Sequence, residues 1–396
     1  MNKISYPLTE SVLEGADINA AIKVLRSKKI TMGPKTRQVE AYFNDHIVKT
    51  NSLMVNSGSS ANLLIFQCLI NPMVKKLKPG DEVLIPAICW STSLWPIIQS
   101  GLKVKFVDID LSTLNIDLND LIKKITKRTK ALMLVHALGN CTDMTKLMNI
   151  CKKNKIILIE DTCESLGTKY KNKYLGTFGE FSSFSFYSSH QISSGEGGMI
   201  CCKDKNDYNI IKSLRSHGWS RGTSYENKIY KKNKFLDKKF IFFNSGYNLR
   251  PTEISAAIGL SQFKKLDEFI KLRKINRKKI ISAMNKSNHI KDKLDFFAEN
   301  LNVNPSWFGI PIKIVNNKIK KNILIKKLEK NGIETRPIIS GNFAKQPAAI
   351  KYGLAKNQKF PNTDDVYNKS FFIGLPTKHI KNNFIDKIIL AFEKSL

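Results

Sequence analysis

Four short apolar segments at a regular pitch constrain the fold of this chain more than any other feature. They are EVLIP (82–86), KVKFV (103–107), ALMLV (131–135) and IILIE (156–160). Helical patterns lie between them, for example DLNDLIKKIT (117–126), and the earlier apolar segment SLMV (52–55) is followed by ANLLIFQCLI (61–70). Strands that alternate with helices in this way form βαβ units around a mostly parallel sheet. The sequence therefore predicts an α/β protein.

The pattern changes in the second half of the chain. Residues 181–202 contain two strand candidates around a serine- and glycine-rich loop, and an amphipathic helical stretch follows residues 246–266 as far as about Met284. The sequence beyond it is typical of a small α+β domain. Because 396 residues exceed what one core usually holds, we predict two domains. They are a large α/β domain over residues 1–250 and a smaller C-terminal α+β domain over residues 251–396.

The chain carries a formal net charge of +32 at pH 7. This excess raises the alternative of a nucleic-acid-binding protein, whose affinity for DNA would fall steeply with salt. The excess is almost all lysine and is spread along the chain, whereas side chains that read bases and phosphates are more often arginine. We therefore expect no nucleic-acid partner, and a basic surface that attracts phosphorylated substrates.

Neither a membrane segment nor a leader is expected. No apolar run approaches the length that spans a bilayer, and the first twenty residues contain acidic side chains and no apolar signal-peptide core. These features predict a cytoplasmic protein. The seven cysteines have no CxC or CxxC spacing, so we expect reduced thiols and predict neither a disulfide framework nor a metal site.

The segment VNSGSSANLL (55–64) leads from a strand into a helix through Ser57, Gly58 and Ser59. Hydroxyls and backbone N–H groups at a helix N-terminus can cradle a phosphate. The alternative is an ordinary helix cap. No GK[ST] sequence follows, so the segment is not an ATP-binding P-loop.

Two further segments place functional groups at the ends of predicted strands. Asp161 follows the strand at 156–160, where an aspartate can pair with the protonated nitrogen of a pyridine ring. Its alternative role is to cap a helix. Trp90 follows the strand at 82–86, in a position to stack on a cofactor ring, and its alternative role is in the core.

A set of motifs along the chain completes this picture. They are TMGP (31–34), NSGSSAN (56–62), FVDID (106–110), EDTCESLG (160–167), FSFY (184–187), GEGGM (195–199), HGWSR (217–221), GYNLRPTEISAAIGL (246–260) and ETRPI (334–338). In these motifs the chain resembles, nearly end to end, the DegT/DnrJ/EryC1/StrS sugar aminotransferase family, which acts on nucleotide-linked keto sugars. The resemblance implies the fold-type I, aspartate aminotransferase-like fold that binds pyridoxal 5′-phosphate (PLP).

The chain departs from the family at one decisive position. Six residues after the phenylalanine of FSFY, most members carry the lysine that forms a Schiff base with PLP. Here that residue is His190, and no lysine occurs between Lys173 and Lys203. A histidine cannot form the Schiff base, but it can act as a base because its pKa lies near working pH. Among family members this pattern resembles the 3-dehydratases, so the resemblance implies His190 as the catalytic residue of a lyase.

The implied reaction removes the C3 hydroxyl of a nucleotide-linked 4-keto-6-deoxyhexose and gives a 4-keto-3,6-dideoxy sugar for surface polysaccharides. GDP-4-keto-6-deoxy-D-mannose is the expected substrate, L-glutamate the expected amino donor, and PLP and pyridoxamine 5′-phosphate (PMP) the cofactor forms. A CDP-linked relative also uses an iron–sulfur cluster held by closely spaced cysteines. This chain has no such spacing, and no cluster is expected.

The resemblance also implies roles for the remaining site residues. Asp161 pairs with the ring nitrogen, Glu164 contacts the ring hydroxyl, and Trp90 stacks on the ring. The phosphate ligands are Ser57, Gly58, Ser59, Ser185 and, from a second subunit, Asn248. That last role implies a homodimer with shared active sites. His217 and Arg336 are candidate substrate ligands, with an ion pair or a core histidine as the alternative.

Two other functions stay open at this point. A sugar aminotransferase that works without the lysine would give a product that retains nitrogen. A non-catalytic protein of the PLP fold would bind only a ligand or a partner, and loss of Asp161 or of the phosphate serines would favour it. Both features are present in this sequence.

Overall fold

The computed structural model describes residues 5–9 and 12–396. The expectation that residues 1–20 form no signal peptide falls partly outside these ranges. The strands are β1 (Asn51–Val55), β2 (Glu82–Pro86), β3 (Lys103–Val107), β4 (Thr129–Val135), β5 (Ile157–Asp161), β6 (Lys169–Tyr170), β7 (Lys173–Tyr174), β8 (Phe181–Ser185), β9 (Gly198–Cys202), β10 (Leu294–Phe296), β11 (Val303–Asn304), β12 (Ile310–Ile314), β13 (Thr335–Arg336) and β14 (Ser370–Ile373).

Helices alternate with strands from β1 to β5, and the second half of the chain contains more helix than strand. They are α1 (Gly15–Ser27), α2 (Pro34–Phe43), α3 (Gly58–Leu69), α4 (Ser91–Gln99), α5 (Leu118–Lys124), α6 (Met144–Asn154), α7 (Lys205–Arg215), α8 (Glu226–Lys232), α9 (Glu253–Phe263), α10 (Leu266–Lys286), α11 (Lys321–Lys330), α12 (Pro347–Lys351), α13 (Pro361–Lys369) and α14 (Asn382–Ser395). In the part of the chain that the structure describes, no helix combines the length and the apolar character needed to cross a membrane.

A seven-stranded sheet lies at the centre, in the order β1-β9-β8-β5-β4-β2-β3. Strands β3, β2, β4, β5 and β8 pair in parallel, and β9 runs antiparallel to both of its neighbours. The prediction of a mostly parallel α/β sheet is confirmed. Its strands read as continuous apolar runs because helices cover both faces: Leu53 and Val55 of β1 join one apolar cluster, and Met54 joins another.

A second, antiparallel sheet has the order β10-β12-β14-β13 and an apolar cluster of its own. Helices α11 and α14 pack together beside it, and Ile312, Phe371 and Ile388 are fully buried there. This arrangement is the predicted α+β pattern of the C-terminal region. Helix α9 packs against α1 and α2 of the N-terminal part, and the domain boundary between residues 250 and 251 stays a prediction. A short third sheet joins β11, β6 and β7.

The N-terminus of α2 is tied to α9 by one buried carboxylate. Glu253 accepts hydrogen bonds from the backbone N–H groups of Gly33 (2.8 Å), Lys35 (2.6 Å) and Thr36 (2.9 Å), and from the Thr36 hydroxyl (2.8 Å). Burial raises the pKa of the Glu253 carboxyl, but these donors outweigh burial, and the pKa lies below its usual value. The carboxylate satisfies N–H groups that a helix start leaves without partners.

We predict that Glu253→Gln lowers the free energy of unfolding by about 2–3 kcal/mol at pH 7, because the new amide faces an N–H donor and a charge-assisted bond is lost. The pKa of Glu253 is lower in the folded chain than in the unfolded chain. The loss of unfolding free energy in Glu253→Gln is therefore complete above about pH 5 and becomes smaller as the pH falls through the folded-state pKa. Denaturant unfolding at several pH values measures this. Glu268→Gln, on an exposed face of α10, is the matched control, and an equal effect of both changes would contradict the prediction.

Candidate active site

The carboxyl ends of the parallel strands meet at one edge of the central sheet, and Asp161 stands there as the last residue of β5. Its Oδ2 accepts hydrogen bonds from Asn62 Nδ2 of α3 (3.0 Å) and Ser93 Oγ of α4 (2.7 Å). Its Oδ1 accepts one from the backbone N–H of Cys163 (3.1 Å). The carboxylate is thereby fixed in orientation by two helices and its own turn.

The preceding residue, Glu160, points to the opposite side of the sheet. It is fully buried, lies 3.0 Å from His136 Nε2, and accepts hydrogen bonds from the N–H groups of Gly176, Phe178 and Gly179 at 2.7–2.8 Å. Burial raises the pKa of its carboxyl, but the interactions with His136 and the backbone outweigh this and lower it. Glu160 therefore supports the sheet edge without reaching the site.

The turn predicted to cradle a phosphate lies at the start of α3, the helix whose Asn62 contacts Asp161. Ser57 caps this helix, because its Oγ accepts a hydrogen bond from the Ser60 N–H at 3.1 Å. Gly58 lies so close to β8 that a Cβ added to it would be 2.8 Å from Ser185 Cβ and 2.9 Å from Cys163 Sγ. Glycine is therefore required for the close packing of this turn against β8, and the role of the turn in holding a phosphate stays a prediction. The Ser59 hydroxyl at the same helix start donates to Thr92 Oγ1 (2.9 Å).

His190 lies in the loop between β8 and β9, half-buried, with its ring centroid 5.3 Å from that of Phe308. Its Nδ1 is shielded from solvent and has no hydrogen-bond partner among the described residues. The pKa of His190 is lowered to about 4, because burial, helped by the charge of Arg273, outweighs the opposing charge of Asp161. This pKa lies well below the value near working pH that the sequence led us to expect. The imidazole is therefore neutral at neutral pH, the form that can accept a proton.

Glu164 follows Asp161 by one turn and titrates very differently from an ordinary glutamate. Burial raises the pKa of its carboxyl to about 7; the neighbouring Asp161 adds to the rise, and the N–H of Leu138, which donates to Oε2 at 2.9 Å, opposes it. The backbone carbonyl of Glu164 accepts a hydrogen bond from Gln191 Nε2, which links this turn to the residue after His190.

Trp90 lies at the start of α4 with 56% of its surface exposed. The alternative that it belongs to the core is therefore wrong. Ser340 anchors a C-terminal segment beside it by donating to the Cys89 carbonyl (2.6 Å). The exposed indole is free to cover a planar ligand at the sheet edge.

Asn248 and His217, two of the remaining predicted residues, lie in the segment between α7 and α9. Asn248 forms a bridge with Ser216 and accepts a hydrogen bond from Arg250 Nε (3.0 Å). His217 has a positive φ of 60° and donates its N–H to the Tyr247 carbonyl. The Leu249 carbonyl accepts a hydrogen bond from the Asn56 N–H (3.1 Å), so this segment runs beside the cradle.

Arg336 is exposed on β13 and lines a cavity of about 520 Å³ together with Lys321 and Tyr367. Within the described ranges, no hydrogen bond or ring contact joins Arg336 to the groups around His190. The structure thus brings the start of α3 close to Ser185 and joins α3 to Asp161 through Asn62, and it places Arg336 in a groove of the small sheet.

Sequence reasoning missed several residues that shape the site: Asn62, Ser93, Gln191, Arg273 and Phe308. Asn62 stands in the family motif NSGSSAN. Ser93 and Phe308 stand in WSTS (90–93) and SWFG (306–309), two further segments in which the chain resembles the 3-dehydratases of the family, so these segments carried a signal. No signal pointed to Arg273, which lies in a helix of ordinary amphipathic pattern.

The assembled groups fit a planar pyridine with a phosphate, as the resemblance implies. Asp161 supplies a carboxylate at the end of a strand, the turn at Ser57 and Gly58 begins a helix whose N-terminus favours an anion, and Trp90 offers an exposed ring face. Over residues 5–9 and 12–396, no cluster of three His, Cys, Asp or Glu residues is arranged to hold a metal ion.

Comparisons with known proteins agree with this geometry. The chain is 38% identical over 376 residues to GDP-4-keto-6-deoxy-D-mannose 3-dehydratase of Escherichia coli O55:H7, which covers 94% of this chain and 95% of that protein. Its structure is similar to that of the E. coli enzyme with bound hydrated PLP, with a TM-score of 0.91, 36% identity and coverage of 99% and 100%. It is equally similar to a structure of the same enzyme with a trapped PLP–glutamate geminal diamine, with a TM-score of 0.90, 36% identity and coverage of 98% and 99%.

These similarities confirm the predicted fold, because the solved structures that match over the whole chain are PLP enzymes of the aminotransferase fold. The model of the DegT/DnrJ/EryC1/StrS aminotransferase family matches residues 12–393. The chain therefore belongs to the DegT/DnrJ/EryC1/StrS aminotransferase family.

Proposed function

We propose that this chain is a PLP/PMP-dependent 3-dehydratase of a nucleotide-linked 4-keto-6-deoxyhexose, with GDP-4-keto-6-deoxy-D-mannose as the substrate. The observation that carries the proposal is a histidine, His190, in place of the Schiff-base lysine, in a chain that keeps Asp161 and the serines predicted to hold the phosphate. The 38% identity to a dehydratase of that substrate supports the same conclusion. The product is a 4-keto-3,6-dideoxy sugar for surface polysaccharides.

The cofactor in its amine form, when bound, would supply an amino group for the C4 ketone and a ring that withdraws electrons. Asp161 holds the protonated ring nitrogen, and its bonds to Asn62 and Ser93 keep the carboxylate aimed at it. Ser57, Gly58, Ser59 and Ser185 hold the phosphate at the start of α3, where the helix dipole favours an anion.

His190 moves the proton that the dehydration requires. The imidazole is neutral at neutral pH because burial disfavours its charged form, so it can take a proton beside the cofactor. Once protonated, it can return that proton to the departing C3 hydroxyl. Because an imidazole has no amine to form a Schiff base, nothing covalent competes with this proton transfer.

Glu164 acts beside the ring hydroxyl. Its carboxyl has a pKa of about 7, so it carries a proton in a large fraction of molecules at neutral pH and can donate a hydrogen bond to an oxygen anion. A glutamine at this position could donate a hydrogen bond only through its amide nitrogen, whereas the Glu164 carboxyl can both give and accept a proton.

The remaining ligands and the location follow from the proposed chemistry. L-Glutamate is the amino donor, supported by the PLP–glutamate adduct in the similar structure. His217 and Arg336 are substrate ligands, and the net charge of +32 attracts a nucleotide diphosphate. We place the reaction in the cytoplasm, where nucleotide sugars and glutamate are available. An aminotransferase is disfavoured by the missing lysine.

The direct test supplies the purified chain with PLP, L-glutamate and GDP-4-keto-6-deoxy-D-mannose. We predict a sugar product lighter than the substrate by one oxygen atom, with free ammonia released in equal amount. His190→Asn is the matched control, and its rate falls by roughly 10²- to 10⁴-fold because it removes the base while keeping a polar side chain. Mass spectrometry of the sugar and an ammonia assay measure both.

A product that keeps the C3 oxygen and gains nitrogen would contradict the proposal and favour an aminotransferase. An unchanged rate in His190→Asn would contradict the role of His190 even if deoxygenation occurred.

The chain is proposed to act as a homodimer with shared sites. Aromatic side chains are exposed on the excursion between α7 and α9: Phe235, Phe240 and Phe242 expose more than half of their surface. This apolar surface lies on the same excursion that carries Asn248 and fits burial against a second copy of the chain. Asn248 would then reach the phosphate of the partner's site.

Mixing of inactive variants tests this arrangement. We predict that His190→Asn and Asn248→Asp, each inactive alone, regain about one quarter of the wild-type activity after unfolding and refolding together, because half of the random dimers contain one intact site. His190→Asn mixed with Asp161→Asn is the matched control, and it regains nothing because both residues serve the same site. Recovery in the control, or none in the first mixture, would contradict shared sites.

A further inference from the structure

Arg273 of α10 is a buried cation without a carboxylate partner. Its side chain is 5% exposed, and no ion pair to it occurs among the residues that the structure describes. Its Nη1 donates to the carbonyls of Trp307 and Phe308, each at 3.0 Å, while Nε is buried with no partner. Burial alone lowers the pKa of this guanidinium to about 10. A buried, unpaired charge is costly, so its retention calls for a reason.

The two carbonyls belong to SWFG (306–309), a segment that the proposed mechanism does not use. The Phe308 ring lies 5.3 Å from the His190 ring, and the Phe308 N–H donates to the Leu138 carbonyl (2.9 Å). The Leu138 N–H in turn donates to Glu164. A short chain of hydrogen bonds thus runs from Arg273 through Phe308 and Leu138 to Glu164. His190 lies beside this chain, against the Phe308 ring.

Neutral donors could also hold the Trp307 and Phe308 carbonyls, so these hydrogen bonds do not require the positive charge of Arg273. That charge disfavours protonation of His190. The titratable and charged groups around His190 are Asp161 at the end of β5, Arg273 on α10, Tyr187 in its own loop at 6.3 Å between ring centroids, and Glu164, joined through Gln191. Asp161 favours the imidazolium, and Arg273 disfavours it. The guanidinium therefore offsets the carboxylate that the cofactor requires.

We propose that Arg273 is a positioning residue of the dehydration: it fixes Phe308 against His190 through the main chain, and its charge opposes the pull of Asp161 on the imidazole, so that His190 stays neutral down to a lower pH. The proposal rests on the proposed function, in which His190 is the base. It explains both the unpaired charge of Arg273 and the position of the SWFG segment against His190.

The test follows the His190 ring by NMR in the full-length protein without cofactor, with labelled histidine and His190→Asn to assign the signal. Arg273→Lys keeps the charge, Arg273→Gln keeps donors to the carbonyls but loses the charge, and Arg273→Met loses both. We expect the midpoint of His190 to stay within error in the lysine variant and to rise by roughly half a unit to one unit in the other two.

Arg277 provides the matched control. It lies one turn further along α10, and its guanidinium stacks on the Trp307 ring with 4.0 Å to the centroid, so it contacts the same segment. We expect Arg277→Met to leave the His190 midpoint unchanged. Equal midpoints in the natural chain and in Arg273→Gln would overturn the proposal, as would a rise in Arg273→Lys equal to that in Arg273→Gln. The glutamine variant keeps the test decisive if the methionine variant does not fold.

Activity separates this proposal from the proposed function. In the dehydration assay of Arg273→Gln, the acid limb of the kcat profile should move up by the same amount as the NMR midpoint, so that kcat falls more at pH 5 than at pH 8 while KM changes little. If the chain deoxygenates no sugar, the NMR result still decides whether Arg273 controls His190. A shifted midpoint with an unchanged acid limb would overturn the catalytic part of the proposal.

Discussion

Two adjacent carboxylates at the end of β5 set the layout of this protein. Successive strand residues face opposite sides of a sheet, so Glu160 and Asp161 cannot share a site. On one side of the sheet, the Glu160 carboxylate contacts His136 and accepts hydrogen bonds from three N–H groups of the following turn. These contacts fix the carboxyl-end edge of the sheet. Asp161 is left on the other side, held by α3 and α4, with its carboxylate facing the ligand site. The two helices that hold Asp161 begin at the Ser57 turn and at Trp90, and the charge of this carboxylate acts on His190.

The exchange of a lysine for His190 changes how the site must hold its cofactor. In the proposed function, which has no covalent link, the affinity for the cofactor would depend on the phosphate ligands at the start of α3, on Asp161 and on stacking by Trp90. The same function requires His190 to be neutral as a base close to the charged carboxylate of Asp161. Burial and the guanidinium of Arg273 both act against the pull of Asp161. The buried cation on α10 therefore has two roles in this account: it holds the main chain at Phe308, and it opposes protonation of His190.

Much of this was predictable from sequence, and the limits have a physical cause. The strands of the central sheet were predicted because parallel strands covered on both faces read as continuous apolar runs, and the turn at Ser57 was predicted because caps are local. The family motifs added the roles of Asp161 and His190. The bonds from Asn62 and Ser93 to Asp161 join residues far apart in sequence, and no periodicity encodes them. The same holds for Arg273 and Phe308, and the low pKa of His190 arises from burial, which only the folded chain defines.

The measurement that tests the central claim most directly is borohydride reduction of the protein with stoichiometric PLP, followed by peptide mass mapping. If His190 stands where relatives carry the lysine, the natural chain binds PLP without a reducible link and gains no stoichiometric label. His190→Lys gains one phosphopyridoxyl group, located at residue 190. A stoichiometric label on a lysine of the natural chain, or no label at residue 190 in the variant, would contradict the account.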